Sequence, residues 1–184
     1  MSDLIKVQLP LSDESLALLR SGDQVLLNGT LYTGRDAAHK RLIETLDRGQ
    51  QLPFDVRGQV IYYTGPAPAR PHQVIGSAGP TTAGRMDAYT PRLLELGLKG
   101  MIGKGERNQT VKEALVRHRG IYFAAIGGLA AVLAKRIRKV EMVAYEELGT
   151  EAIRRLEVED FPVTVINDIH GGDCYQDARH EYER

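Results

Sequence analysis

Cysteine is almost missing from this chain of 184 residues. Cys174 is the only one, so an internal disulfide is impossible. An iron–sulfur cluster normally takes several cysteine thiolates, and a single cysteine cannot hold one by itself. The five histidines show no paired metal-ligand spacing, and His170 and Cys174 are only two side chains in a predicted loop. The sequence therefore predicts no metal site within this chain.

The chain also lacks an excess of charge and a long apolar run. Its 24 basic and 24 acidic residues balance, which argues against a nucleic-acid platform driven by bulk charge. The longest apolar stretch, residues 121–134, is too short for a membrane span and contains Gly127 and Gly128. The opening residues have no basic start followed by an apolar run, as a signal peptide would. We therefore expect a cytoplasmic protein that binds neither nucleic acid nor a membrane.

The later half of the chain repeats the order strand, glycine-rich turn, helix. Strands are predicted at 59–66, within 71–80, and at 99–105, 121–128, 139–145 and 161–168. Helices are predicted from about Thr82 to Gly97, at 108–120 and at 129–137, while 152–160 connects the last two strands. Pro91 is a point where the first of these helices could divide, and Asn108 is a candidate cap. This pattern is typical of a single α/β domain, residues 1–184, with a largely parallel sheet.

Three glycine turns follow predicted strands, at 76–84, 103–105 and 127–128. Ligands in α/β domains collect at the carboxyl ends of the strands, where such turns lie. We therefore expect the three turns to converge on one site.

The densest of these turns is GSAGPTTAGRMD, residues 76–87. A turn that feeds a helix offers free backbone N–H groups at a positive dipole end. Thr81 and Thr82 add hydroxyls, and Arg85 adds a fork that matches a carboxylate. Together these groups suit an anion such as phosphate or a carboxylate. The alternative interpretation is an N-capped helix with a tight entry turn and a surface pair between Arg85 and Asp87.

A second cation follows the next strand. Lys104 lies between Gly103 and Gly105, without the spacing or the Lys-Ser/Thr pair of a P-loop, so nucleotide binding is a poor fit. It could place a positive charge at the sheet edge beside the first turn, and the alternative is an ordinary solvated lysine. Glu106 adds a negative charge next to it, for which Arg107 is one candidate partner.

Arg35 and Asp36 lie where the turn in YTGRDAAHKR enters a helix. Asp36 suits the positive end of the helix and could serve only as a cap. A cation at this end opposes the dipole, so Arg35 indicates another requirement, such as an anionic ligand. The alternative is a harmless exposed arginine.

These motifs together resemble those of a known enzyme family. TGRDAAHKR, GPTTAGRMD, GMIGKG, AAIGGLAA and a closing D-x-x-G segment occur in the same order in the iron–sulfur-dependent hydro-lyases. This family contains the class I fumarases and the L(+)-tartrate dehydratases. The resemblance is to their C-terminal domain or separate β subunit and covers about residues 4–176.

The resemblance implies a swivelling β/β/α-type domain with a largely parallel or mixed sheet, and a role for each motif. Arg35, Arg85 and Lys104 correspond to carboxylate-binding cations, and Thr81 corresponds to the proposed catalytic base. A second set of residues is expected to support the site: Asp36, Gly79, Thr82, Asp87, Gly103 and Gly105.

The resemblance also implies a partner. In this family a 4Fe–4S cluster is held by three cysteines of the α portion, so a cysteine-bearing α subunit and a small dicarboxylate substrate are expected. The leading hypothesis is a β subunit of a heteromeric fumarate hydratase. The alternatives are an L(+)-tartrate dehydratase or another dicarboxylate hydro-lyase, and a non-catalytic carboxylate- or phosphate-binding module. Self-association of the isolated chain, through its apolar N-terminal segment or the turns near the site, is a further expectation.

Overall fold

A computed structural model describes residues 4–126 and 128–182. Its strands are β1 Ile5–Gln8, β2 Gln24–Thr33, β3 Val60–Tyr62, β4 Gly100–Gly103, β5 Ile121–Ala124, β6 Ile137–Ala144 and β7 Ile153–Asn167. Its α-helices are α1 Asp13–Leu18, α2 Asp36–Asp47, α3 Thr90–Glu95, α4 Gln109–His118, α5 Ala130–Ala134 and α6 Cys174–Tyr182. Short 3-10 helices occupy Ala83–Met86 and Glu146–Glu151.

The strands form one mixed sheet in the order β1-β2-β3-β4-β5-β7-β6. Strands β1 to β5 pair in parallel, and β7 pairs antiparallel with β5 and β6. Strand β7 also pairs antiparallel with β2, so five strands close into a ring. This mixed α/β architecture confirms the predicted fold class.

Alternate residues of the central strands face two apolar clusters. Val60 and Tyr62 of β3 belong to one cluster, while Ile61, between them, belongs to the other. The same alternation occurs in β4, where Ile102 and Met101 face opposite ways. A strand that is buried on both faces reads as a continuous apolar run, which explains why these strands were visible in the sequence.

Three of the local predictions need correction. Residues 71–80 form no strand. The helix expected from Thr82 to Gly97 is two short helices, Ala83–Met86 and Thr90–Glu95, and Pro91 lies in the first turn of the second, where its missing N–H costs no helical bond. Residues 152–160 are not a connection, because almost all of them belong to β7, which runs unbroken from Ile153 to Asn167.

Asn108 caps α4 as predicted, since its side-chain oxygen accepts a hydrogen bond from the N–H of Val111 at 2.9 Å. Ser12 caps α1 in the same way through the N–H of Ser15. Among the helices in the described ranges, none combines the length and the apolar character needed to cross a bilayer.

Candidate functional site

The first two predicted motifs meet through an ion pair. The side chain of Arg85 donates from Nε to Oδ1 of Asp36 at 2.8 Å. Asp36 is the first residue of α2, so this bond joins the TGRD turn to the GPTTAGRMD turn. Within the described residues, the two terminal nitrogens of the Arg85 guanidinium make no hydrogen bond to the protein.

The GPTT segment is held against the end of β3. The hydroxyl of Thr64 donates to the carbonyl of Gly79 at 2.8 Å. The N–H of Thr81 donates to the carbonyl of Tyr63 at 2.6 Å. Thr81 therefore sits on a fixed backbone just beyond the carboxyl end of a central strand, although 71–80 before it forms no strand.

The third motif runs beside the second. Thr82 and Lys104 form a parallel β-bridge, and the N–H of Lys104 donates to the carbonyl of Thr81 at 3.1 Å. The side chain of Lys104 is exposed. A Cβ on Gly103 would lie 3.2 Å from the Thr81 carbonyl oxygen, and Gly105 has a φ of 78°, so both glycines suit their positions. The structure thus brings Thr81, Arg85 and Lys104 to one edge of the sheet.

A buried ionic cluster fixes the turn that carries Lys104. Arg107 donates from Nε to Oδ1 of Asp87 at 2.6 Å and from Nη2 to the Thr90 hydroxyl at 2.7 Å. Its guanidinium carbon lies 5.4 Å and 5.0 Å from the ring centroids of Tyr63 and Tyr122. Aromatic faces stabilise a desolvated cation in this arrangement. Arg107 has no exposed side-chain surface, so its role is to hold the protein scaffold.

These contacts decide two alternatives that the sequence left open. The alternative interpretation of the first turn, a surface pair between Arg85 and Asp87, is wrong, because Asp87 is buried and pairs with Arg107. Arg107 was one candidate partner for Glu106, but Glu106 pairs with Arg179 of α6.

The electrostatics of the cluster favour its charged form. Burial alone would lower the pKa of Arg107, but the nearby Tyr63 and Asp87 outweigh it and the pKa is raised. Burial also raises the pKa of the Tyr122 phenol, which donates to the carbonyl of Gly105 at 2.8 Å. Both groups keep their protons at any ordinary pH.

Arg35 is held in a different way. A Cβ on Gly65 would lie 2.8 Å from Nη1 of Arg35, so the arginine packs directly across that glycine. Its Nε lies 3.8 Å from Oε1 of Glu151 and, although buried, has no hydrogen-bond partner among the described residues. Glu151 also accepts from the N–H of Ala37 at 3.4 Å. It therefore supplies an acceptor at the start of α2, where the N-cap residue Arg35 has none.

His39 lies one turn into α2, directly behind these groups. It is fully buried, and its Nδ1 donates to the carbonyl of Arg35 at 2.8 Å. Its ring meets Tyr63 edge-on, with centroids 5.3 Å apart. Burial lowers its pKa to about 4, so the imidazole is neutral at neutral pH. His39 thereby links the TGRD turn to the end of β3.

The third predicted glycine turn, residues 127–128, precedes α5, and the start of α5 contacts the segment before Thr81. The N–H of Ala78 donates to the carbonyl of Ala130 at 3.3 Å, and a Cβ on Gly79 would lie 3.1 Å from the Cβ of Ala130. The start of α5 therefore touches the GSAG segment. Gly127, at the centre of the predicted turn, lies outside the described residues.

The chain's own residues do not fit an iron–sulfur cluster. In the described ranges, no three His, Cys, Asp or Glu side chains are grouped as a metal site would require. Cys174 begins α6, and burial raises the pKa of its thiol, which disfavours the thiolate that iron binds.

Sequence reasoning missed the two groups that hold the cations in place. Glu151 is 116 positions from Arg35 along the chain. No local sequence pattern distinguishes Arg107, as a buried residue, from the many charged residues on the surface. One signal for Glu151 was present, namely an arginine at a helix N-cap without any acceptor side chain.

The fold and these contacts define a mixed α/β domain that gathers two arginines, a lysine and a threonine at one edge of its sheet. Comparison with known proteins identifies the family to which this domain belongs. The model of the fumarase C-terminus family matches residues 2–178. The chain belongs to this family.

Individual relatives fall into two groups. A "Fumarate hydratase class I, aerobic" of Salmonella typhimurium is 49% identical over 152 residues, which are 82% of this chain and 26% of that protein. A "Fumarate hydratase 2" of Leishmania major is 44% identical over 156 residues, which are 84% of this chain and 28% of that protein. The chain thus spans about a quarter of the length of these relatives.

The second group matches end to end. A "Putative L(+)-tartrate dehydratase subunit beta" of Methanocaldococcus jannaschii is 36% identical over 181 residues, which are 95% of this chain and 93% of that protein.

Proposed function

We propose that this chain is the β component of an iron–sulfur hydro-lyase, and that it works with a cysteine-bearing partner to interconvert fumarate and L-malate. The single observation that carries the proposal is the meeting of the three motifs, with Asp36 bonded to Arg85 and Thr82 bridged to Lys104. The identity of 49% to a fumarate hydratase, against 36% to the tartrate dehydratase subunit, supports fumarate as the substrate.

Three cations would bind the two carboxylates of the substrate. Arg85 offers a fork whose orientation Asp36 fixes, Lys104 offers an exposed point charge, and Arg35 offers a guanidinium between Gly65 and Glu151. Dehydration removes a proton next to a carboxylate, so negative charge grows on that carboxylate in the transition state. Cations that are already in place stabilise this charge without reorganising.

Thr81 would transfer the proton. Backbone hydrogen bonds to Tyr63 and Lys104 fix the main chain of Thr81, so the position of its Cα, and with it the reach of its hydroxyl, is constrained. A free threonine hydroxyl is a weak base, and the cationic surroundings would favour its deprotonated form. A cluster carried by the partner would supply a Lewis-acidic iron for the departing hydroxyl.

Two experiments test the proposal. The chain is co-expressed anaerobically with the cysteine-bearing polypeptide of the same organism, and the complex is assayed with fumarate, malate and tartrate. Hydration of fumarate supports it, whereas an intact cluster without any hydro-lyase activity contradicts it. Calorimetry on the isolated chain tests the binding-module alternative, because half a site should bind a dicarboxylate weakly and a complete module should bind it tightly.

A specific observation favours tartrate as the second candidate substrate. The M. jannaschii protein, which is named a putative L(+)-tartrate dehydratase subunit beta, is 36% identical to this chain over 181 residues. The ratio of kcat/KM for fumarate and for tartrate decides between them, since one extra hydroxyl need not change the visible motifs.

A further inference from the structure

Exposed apolar side chains are concentrated beside the candidate site. Among the described residues, nine large apolar side chains are exposed: Leu4, Leu18, Val74, Leu96, Val116, Ile126, Leu129, Val132 and Met142. Four of them, Val74, Ile126, Leu129 and Val132, lie in the loop before GSAGPTT and around the start of α5. We call these four residues the apolar surface.

Backbone hydrogen bonds connect the segments that carry the apolar surface to the segment that carries the site. Ser77 accepts from the N–H of Ala67 at 2.9 Å, and the N–H of Ala78 donates to Ala130 of α5 at 3.3 Å. These bonds tie the loop of Val74 to the helix of Val132. The segment that they hold leads directly to Thr81, three residues after Ala78.

A groove of about 710 Å³ lies between the loop and α5. Its apolar walls include Val74, Ile75, Ala131 and Ala134. Its cations are Arg70, Lys135 and Arg138, and no carboxylate belongs to the described residues that line it. Glu159 neutralises only Arg138, through a bond of 2.8 Å. The groove therefore complements an apolar segment that carries acidic groups.

Two findings indicate that relatives of this domain have a further part or subunit to contact. The fumarate hydratases extend far beyond the matched part, which is about a quarter of their length. The M. jannaschii protein is named a subunit beta, which implies another subunit. In both cases a domain of this kind has a further polypeptide to contact, and exposed apolar patches with a polar rim are where such contacts form.

We propose that the apolar surface and its groove dock the cysteine-bearing partner, through an apolar segment of that partner that carries acidic residues. This inference rests on the proposed function, because the partner is part of it. Docking at this position places the partner beside the segment that leads to Thr81. Because a standard interface buries about 800 Å² per partner, the proposed contact extends beyond the groove over the adjacent site rim.

The test uses two valines that are equally exposed, at 44% each. Val132→Asp places a charge in the apolar surface, and Val116→Asp places the same charge on α4. Lys135→Glu is a second variant that reverses a charge of the groove without touching its apolar walls. Each chain is first checked for an unchanged midpoint of thermal unfolding, and its Kd for the cluster-loaded partner polypeptide is then measured by biolayer interferometry.

We expect Val132→Asp and Lys135→Glu to raise the Kd by about tenfold or more, and Val116→Asp to change it by less than about twofold. Saturating partner should restore the wild-type kcat to Val132→Asp. Equal Kd values for the two valine variants would overturn the inference. So would sedimentation data in which Val132→Asp abolishes self-association and leaves partner binding intact, because the surface would then belong to a second copy.

The two proposals fail separately. A wild-type complex that forms through this surface but hydrates no dicarboxylate supports the docking surface and removes the proposed function. An active complex whose Kd is unchanged by both Val132→Asp and Lys135→Glu supports the proposed function and removes the docking surface.

Discussion

Two arginine–carboxylate pairs lie within the same site and have opposite surroundings. Arg107 and Asp87 are 0% and 8% exposed, whereas Arg85 and Asp36 are 52% and 33% exposed. Their N–O distances are nearly the same, at 2.6 Å and 2.8 Å. The difference in burial gives the two pairs different roles. Separating a desolvated pair leaves a buried charge without its partner, which is costly, whereas an exposed pair can separate and bind other groups. The first pair supports the fold, and under the proposed function the second holds the guanidinium that would bind the substrate.

Breaking the buried pair should have the largest effect. Arg107→Met leaves the Asp87 carboxylate buried without its cation, which should lower the free energy of unfolding by about 3–5 kcal/mol. Urea unfolding of the isolated chain measures this loss. Arg85→Ala is the matched control and should cost less than about 1 kcal/mol, since its pair is half exposed. Similar losses for both variants would contradict the division of roles.

Breaking the exposed pair should instead affect catalysis. Arg85→Ala should lower kcat/KM for fumarate by roughly 10²–10³, because a cation that faces developing charge is lost. Arg85→Lys keeps the charge but not the fork, and should recover only part of the activity. Steady-state kinetics of the reconstituted complex measure both. Wild-type activity in Arg85→Ala would remove this arginine from the site.

Acid should destabilise the scaffold through His39. Its pKa is about 4 in the folded chain against 6.5 ordinarily, so the unfolded chain takes up a proton more readily. This contribution is complete above pH 6.5 and is lost as the pH falls toward 4. Between about pH 7.5 and about pH 5 it should remove about 2 kcal/mol, and urea unfolding at both values measures it.

The control for this prediction is a second histidine. His39→Gln should flatten the pH dependence, while replacement of the exposed His72 by Gln should leave it unchanged. An equal slope in all three chains would show that other groups cause the acid sensitivity.

The smallest effect should come from the carboxylate that holds Arg35. Two ion pairs connect the same short helix, Glu146–Glu151, to α2: Glu151 with Arg35 and Glu147 with Arg41. Glu151→Gln should raise KM several-fold, equivalent to about 1 kcal/mol, because Arg35 loses its ionic anchor. Glu147→Gln removes the neighbouring pair and should leave KM unchanged.

A double variant sharpens this test. In an Arg35→Ala background, Glu151→Gln should have almost no further effect on KM, since the two side chains act together. Additive effects would mean that Glu151 acts on another part of the site.

Local sequence patterns predicted much of the fold because they act over a few residues. Asn108 caps α4 and β3 lies within 59–66, since capping and apolar runs are local properties. Residues 71–80 misled the prediction, because Val74 and Ile75 favour a strand while Pro71 and Gly76 beside them favour a turn. Residues 152–160 were predicted to be a connection although most of them form a strand. Their many charged residues obscured the alternating pattern in which Leu156 and Val158 are buried.

The candidate site was accessible to sequence reasoning only in part. The motif segments and their meeting at one sheet edge follow from the α/β pattern. Ion-pair partners do not, because they are set by tertiary contacts between segments that are far apart in the chain. Asp87 illustrates this, since its partner is the buried Arg107 and not the nearer Arg85.

Thr81 is the residue proposed to transfer the proton in the complex with the cysteine-bearing partner, and the kcat of two threonine variants tests this role. Thr81→Val removes the hydroxyl at the proposed position, and Thr82→Val removes that of the next residue. In the reconstituted complex, Thr81→Val should lower kcat for fumarate by roughly 10²–10⁴ with little change in KM, while Thr82→Val keeps most of the activity. A Thr81→Val complex that retains the wild-type kcat would contradict the account.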